Sequence, residues 1–307
     1  MIRWGVWFEP TQPVARLCEL AKQAEAAGAE VCLVADEGTE RDVYVALTAI
    51  LMSTDKMVVG PAITNPFSRH PVATAAAVAT LAELAPHRVW HGLGVGGSRV
   101  LDPLGVDPPR PYTALRETFE SNTTLLAGGS VGSARLPWFD ASVPIAIAGR
   151  GPRVQRLAAE RADWVILSAK GADEMPETAV TIRAAGDAKI GWSAYLAYDA
   201  AERARVLRHF SYMAIDAPPE IREAAGLTDE ATALVKAAML GGDMELAASY
   251  LPDALVDLFA IAGTPEECAA TIAGCAAHFD MFLLPMNNES SCESHIAQSA
   301  EILNSIG

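Results

Sequence analysis

Residues 58–97, VVGPAITNPFSRHPVATAAAVATLAELAPHRVWHGLGVGG, hold two strand candidates, an Ala-rich helix and two turn segments in fixed order. The run MVVGPAI is apolar and β-branched, which suits a strand buried on both faces, and TNP supplies turn chemistry at its C-terminal end. Residues 71–84 return the chain, and RVWHGLGVGG forms the next strand and turn. Strand, helix and strand in this order make a parallel βαβ unit, which needs cover on both faces. In a closed barrel of such units, ligands bind at the C-terminal ends of the strands.

The same alternation continues along the chain. Strands are expected at residues 2–8, 31–35, 58–63, 89–93, 144–148, 164–167, 190–197 and 281–284. Helices are expected at residues 14–27, 42–52, 71–84, 113–126, 153–160, 177–185, 265–278 and 295–303. Eight pairs favour a (β/α)8 TIM barrel over an open doubly wound sheet. The 307 residues are 51% hydrophobic, enough for one large core, and no compositional break divides them, so residues 1–307 are read as one domain. Residues 200–262 do not fit one crossover. ERARVLRHFSYMAI and DEATALVKAAML, separated by APPE and GGD, read as a helical insertion between strands 7 and 8, where insertions often cover a pocket.

Charge and cysteine usage narrow the function classes. A formal net charge of −15 argues against a nucleic-acid surface, which needs concentrated Lys and Arg. Cys18, Cys32, Cys268, Cys275 and Cys292 form neither a paired framework nor a metal-ligand spacing, so no metal is expected and a reducing cytoplasm fits. MIRWGVWFEP has no signal-peptide core, and no apolar run reaches the roughly 18 residues of a membrane helix. A small-molecule enzyme with no membrane partner is the expectation.

Three turns carry chemistry. AGRGP after strand five opens a helix, so Ala148, Gly149, Arg150 and Gly151 gather backbone N–H groups at the positive end of a helix dipole, an arrangement that binds phosphate. In GLGVGG, the glycines at 94, 96 and 97 either let a ligand approach the backbone or relieve crowding at a barrel corner. A dinucleotide fold would need an acidic residue about 20 positions on, and the Pro-rich DPLGVDPPRPY stands there instead. ADEG at the end of strand two places Asp36 and Glu37 at the barrel mouth, either as a proton-handling pair or as backbone acceptors and helix caps.

Taken in order, AGAEVCLVADEGTERDVYVALTAI, GPAITNPFSRHP with GLGVGG, VPIAIAGRGPRVQRLAAERADWVIL and GTPEECAATIAGCAAHFDMFLLP resemble the luciferase-like flavin and deazaflavin oxidoreductases. They are most similar to the methylenetetrahydromethanopterin reductase branch, which uses the deazaflavin coenzyme F-420. The resemblance implies hydride transfer between F-420 and a small organic substrate of C=N, C=C or pterin type. Two alternatives are an FMN-dependent monooxygenase and a non-catalytic flavin-binding protein. It also implies a non-prolyl cis peptide at Ala62–Ile63 behind the cofactor ring, with Asp36, Thr64, Asn65, Gly94, Gly96 and Gly97 beside the cofactor and Ala148, Gly149, Arg150 and Gly151 on its phosphate. Family members commonly carry histidine where this chain has Glu37, and the reductase branch tends to carry an acid at the Trp7 position, so Glu37 and the displaced Glu9 are the catalytic candidates. Trp7 and Arg69 are candidate substrate contacts, and a homodimer through barrel helices is expected.

Overall fold

The computed structural model describes residues 2–216, 219–286 and 291–307. Ten strands are present among them: β1 (Trp4–Phe8), β2 (Val31–Val34), β3 (Val58–Pro61), β4 (His91–Leu93), β5 (Ile145–Ala148), β6 (Trp164–Ser168), β7 (Lys189–Ser193), β8 (Tyr195–Ala197), β9 (Ala260–Ala262) and β10 (Met281–Met286). Eight form one parallel sheet in the order β3-β2-β1-β10-β7-β6-β5-β4. Its edges meet through parallel bridges between Val59 and Val89 and between Thr64 and Leu93. The result is the expected (β/α)8 barrel.

Burial explains the unbroken apolar strands. In β2, Val31 and Leu33 point into the barrel with Trp90, Ala146, Trp164 and Ile166, while Cys32 and Val34 join the outer layer against the helices. Trp90 and Trp164 fill the barrel interior with ring centroids 4.4 Å apart. The Ala-rich helix Pro71–Leu84 lies close to helix Pro111–Leu126 because small side chains permit near approach.

The run 190–197 differs from the single strand expected. The barrel strand ends at Ser193, and Tyr195–Ala197 pairs instead with Ala260–Ala262. The physical cause lies far along the chain. Tyr195 and Ala197 pack into a separate core with Val206, Phe210, Val235 and Leu255, drawn from helices Ala200–Asp216, Asp229–Leu240 and Ala254–Phe259. The AIA partner strand is too short to be distinguished from loop by periodicity. No helix among the described residues is long and apolar enough to cross a membrane.

His91 pins the strand that leads into the glycine turn. It is fully buried, and its Nε2 lies 2.7 Å from Asn122 Oδ1 on helix Pro111–Leu126. The Asn122 amide donates to the Pro71 carbonyl, so its oxygen faces His91 and the imidazole donates as the neutral ring. Burial lowers the His91 pKa from 6.5 to about 4, partly opposed by the Asn122 bond. The unfolded chain therefore binds the proton first, and stability present above pH 6.5 is lost as pH falls toward about 4. Thermal unfolding followed across that window should show the midpoint falling. The fall should be shallower in His91→Gln, which keeps an N–H donor and cannot titrate.

Candidate active site

A cavity of about 490 Å³ opens at the C-terminal ends of the barrel strands. Its wall is supplied in turn by Trp7, by Asp36 and Glu37, by the segment after β3, by the glycine turn after β4 and by the turn after β5. Ser168 and Ser193 complete it from β6 and β7. These are the strand ends that a parallel barrel presents for binding.

After β3 the Ala62–Ile63 peptide is cis, and both residues line the cavity. Thr64 stays behind the wall, where its hydroxyl donates to Asp36 Oδ2 at 2.7 Å and its backbone bridges to β4. Asn65 reaches the wall, and its Oδ1 accepts the N–H groups of Phe67 and Ser68, both at 2.9 Å. The three glycines of the next turn divide their roles. Gly96 and Gly97 line the cavity, and Gly96 needs its missing side chain because φ is +75°. Gly94 is absent from the lining, and a Cβ there would collide with Ile63 Cδ1, so it serves the packing of the bulge.

Ala148, Gly149, Arg150 and Gly151 all line the cavity. Gly151 caps helix Pro152–Arg161 in extended conformation with no side chain bonding to the helix amides. A Cβ on Gly149 would collide with Val154, whereas one on Gly151 would meet open space. The Gln155 amide donates to the carbonyls of Gly149 and Arg150 at 3.3 and 3.2 Å, which holds the turn against its own helix. The positive helix end thus faces the cavity.

At the mouth, Glu37 and Glu9 meet a cation that sequence reasoning missed. Arg99 bonds Glu37 through Nε and Nη2 at 2.9 and 2.6 Å, and Glu9 through Nη2 at 2.9 Å. Burial works against the Arg99 charge, but the two carboxylates outweigh it and raise its pKa. Its guanidinium also lies 4.9 Å from the Tyr212 ring centroid, joining the barrel to helix Ala200–Asp216. From that helix His209 sits 3.8 Å from Glu9 and lies tilted against the Tyr195 ring, with centroids 4.9 Å apart. Burial lowers the His209 pKa to about 4, so the ring is neutral at pH 7. Arg99 lies on a short helix, Ser98–Leu101, directly after the glycine turn, and its charge beside GLGVGG was the one available signal.

Trp7 lines the cavity, while Arg69 lies outside its lining. Arg69 donates to Asp42 at 2.7 Å and covers the Tyr44 ring, so it braces the start of helix Val43–Ser53.

The luciferase-like monooxygenase family model matches residues 2–278. The chain belongs to that family. It is 30% identical over 291 residues to the 5,10-methylenetetrahydromethanopterin reductase of Methanolobus tindarius, covering 88% of this chain and 89% of that protein. It is 35% identical over 158 residues to the F-420-dependent glucose-6-phosphate dehydrogenase of Beutenbergia cavernae, covering 47% of each. The solved coenzyme F-420-dependent tetrahydromethanopterin reductase of Methanopyrus kandleri shares the fold with a TM-score of 0.84 and 21% identity, covering 98% of this chain and 97% of that one.

The divided glycine roles have a measurable consequence. Gly94→Ala should cost about 1–3 kcal/mol of stability by overpacking Ile63, while Gly97→Ala, whose Cβ meets open space, should cost less than about 0.5 kcal/mol. Denaturant unfolding of the two variants checks this.

Proposed function

We propose that this chain is an oxidoreductase that uses coenzyme F-420 to move a hydride to or from a small organic substrate. The observation that carries the proposal is one cavity shared by the Ala62–Ile63 bulge and the uncapped helix end at Gly151. A flat ring and an attached phosphate need those two features together. The similarity to F-420-dependent enzymes along the chain favours the deazaflavin over FMN. When bound, the cofactor supplies the hydride chemistry, and the protein supplies orientation and charge.

In this reading, Ala148, Gly149, Arg150 and Gly151 hold the phosphate, Gly96 and Gly97 admit the polyol chain, and Ala62 with Ile63 back the ring. Asp36 is fixed by Thr64, which steadies the wall between β2 and β3. Glu9 and Glu37 act through Arg99, setting the charge at the mouth rather than passing a proton. Helix Ala200–Asp216 belongs to an insertion that covers the substrate side within a single domain of residues 1–307. A cytoplasmic homodimer without nucleic-acid partners completes the proposal.

The substrate reading follows from charge. Arg99 is already neutralised by two carboxylates, and Asp36 adds a third nearby, so the mouth favours a neutral or cationic C=N acceptor, such as an imine or a pterin, over a sugar phosphate.

Fluorescence quenching of oxidised F-420 by the purified protein, with FMN in parallel, tests the cofactor. Micromolar or tighter binding of F-420, weakened at least tenfold in Gly151→Asp, whose Cβ meets open space, is expected; preference for FMN would favour the monooxygenase alternative, and binding of neither a non-redox barrel. For the substrate, a cyclic imine should oxidise reduced F-420 and glucose 6-phosphate should fail to reduce the oxidised form. Glu37→Gln should lower kcat/KM for the imine about tenfold, a loss of roughly 1.4 kcal/mol in transition-state stabilisation.

A further inference from the structure

Helix Ala200–Asp216 presents two stripes of side chains with different partners. Val206, Phe210 and Ala214, spaced four apart, are buried with helices Asp229–Leu240 and Ala254–Phe259 in a core separate from that of the barrel. Glu202, Arg205, His209 and Tyr212 make the second stripe, and each of them faces the barrel. The first two meet His295 of the last helix, Cys292–Asn304, and the other two face Glu9 and Arg99 at the mouth.

Glu202, Arg205 and His295 are 6%, 4% and 1% exposed, and charged side chains are almost never buried this far unless they are paired. Such a pair adds little net stability over apolar packing, while losing one member is costly, so its worth lies in holding a single arrangement. The arrangement is directional. Arg205 can only donate and the Glu202 carboxylate can only accept, so the ring between them accepts at Nε2 and donates at Nδ1. These two bonds leave opposite edges of one rigid ring, and Tyr198 stacks on it with centroids 5.5 Å apart. A helix held in this way can neither slide nor turn about a single contact.

We infer that His295 is a positioning residue for the mouth: by gripping Glu202 and Arg205 it sets the rotation and axial place of helix Ala200–Asp216, and so stands His209 against Glu9 and Tyr212 against Arg99. Glu202 and His209 are separated by about 10 Å of helix, so the His295 ring acts without belonging to the cavity wall. Its bearing on substrate rests on the reading of this mouth as the substrate side. The cavity itself is walled by strand ends and the turns that follow them, so the grip serves the substrate and leaves cofactor affinity alone. His209 reports whether the helix is seated. Burial lowers its pKa to about 4, opposed by Glu9 and helped by Arg99 and Arg205, and each of these influences depends on where the helix stands.

Two substitutions isolate this role. His295→Leu removes both bonds, and His295→Gln keeps an acceptor for Arg205 and restores part of the grip. The ligand-free, full-length proteins are titrated by NMR of their imidazole resonances, with the His209 signal assigned by its loss in His209→Gln. The His209 midpoint should rise toward the ordinary histidine value by about one pH unit or more in His295→Leu and by about half a unit in His295→Gln. Damage confined to the surroundings of His295 would leave that midpoint unmoved, and a value within about 0.2 unit of wild type in His295→Leu overturns the assignment. Should His295→Leu fail to fold, His295→Gln decides alone by the same limit. With reduced F-420 and a cyclic imine, KM should rise about tenfold in His295→Leu and about threefold in His295→Gln, with kcat within about threefold and the F-420 dissociation constant within about twofold of wild type. A fall in kcat at unchanged KM overturns the link to substrate. Wild-type protein that turns over no imine defeats the substrate reading alone, and the His209 titration still decides the positioning role.

Discussion

Everything at the mouth of this barrel depends on how closely the β3 and β4 backbones approach at the closing seam. The seam has no continuous ladder; it is held at Val59–Val89 and again at Thr64–Leu93. Between those points, a Cβ at Gly60 would strike the Trp90 carbonyl and one at Gly92 would strike the Pro61 carbonyl. Glycine at both positions lets the sheet close, and closure carries the Ala62–Ile63 bulge over the barrel interior. Gly94 extends the same logic one step outward by making room for the Ile63 side chain. The cavity wall is therefore a consequence of barrel closure rather than an addition to it.

The charges at the mouth follow from the same geometry. Once the turn after β4 is fixed beside the ends of β1 and β2, Arg99 arrives next to Glu9 and Glu37, which sequence separates from it by 90 and 62 positions. A partly buried guanidinium with two carboxylate partners is far better satisfied than any one of these groups would be alone. Removing either acid would leave charge poorly matched in a confined place. Both glutamates are thus held as the charge partners of Arg99.

What could be read from the sequence was local, and what could not was long-range. The AGRGP turn declared itself because strand, glycine and helix start are adjacent in the chain, and all four residues Ala148 to Gly151 line the cavity. The barrel was legible for a similar reason, since each βα pair is a neighbour pair. Arg99 was not legible, because its meaning depends on residues that only folding brings near. His209 was hidden in the same way, inside an amphipathic helix whose pattern spoke only of packing. Arg69 shows the converse error. Its place beside the bulge suggested the pocket, but Asp42 and Tyr44 offered a nearer charge and ring.

The helix that bears His209 and Tyr212 is held at its other end by a buried network, and this bears on how the mouth behaves. Glu202 pairs with Arg205 on the same helix, and both meet His295 of helix Cys292–Asn304, with His295 Nδ1 3.0 Å from Glu202 and Nε2 3.1 Å from Arg205. Arginine can only donate, so Nε2 accepts and Nδ1 carries the proton toward the carboxylate. Burial lowers the His295 pKa and opposes a charged ring, so the network is satisfied with a neutral imidazole, and Tyr198 stacks on the ring with its hydroxyl 3.0 Å from Nδ1. Residues 202, 205, 209 and 212 follow helical spacing, so one face of this helix is tied first to the last helix of the barrel and then to the active-site mouth. A rigid-body swing of the whole helix would separate buried charges at its anchored end, which is costly. The anchored end therefore fixes where His209 stands beside Glu9.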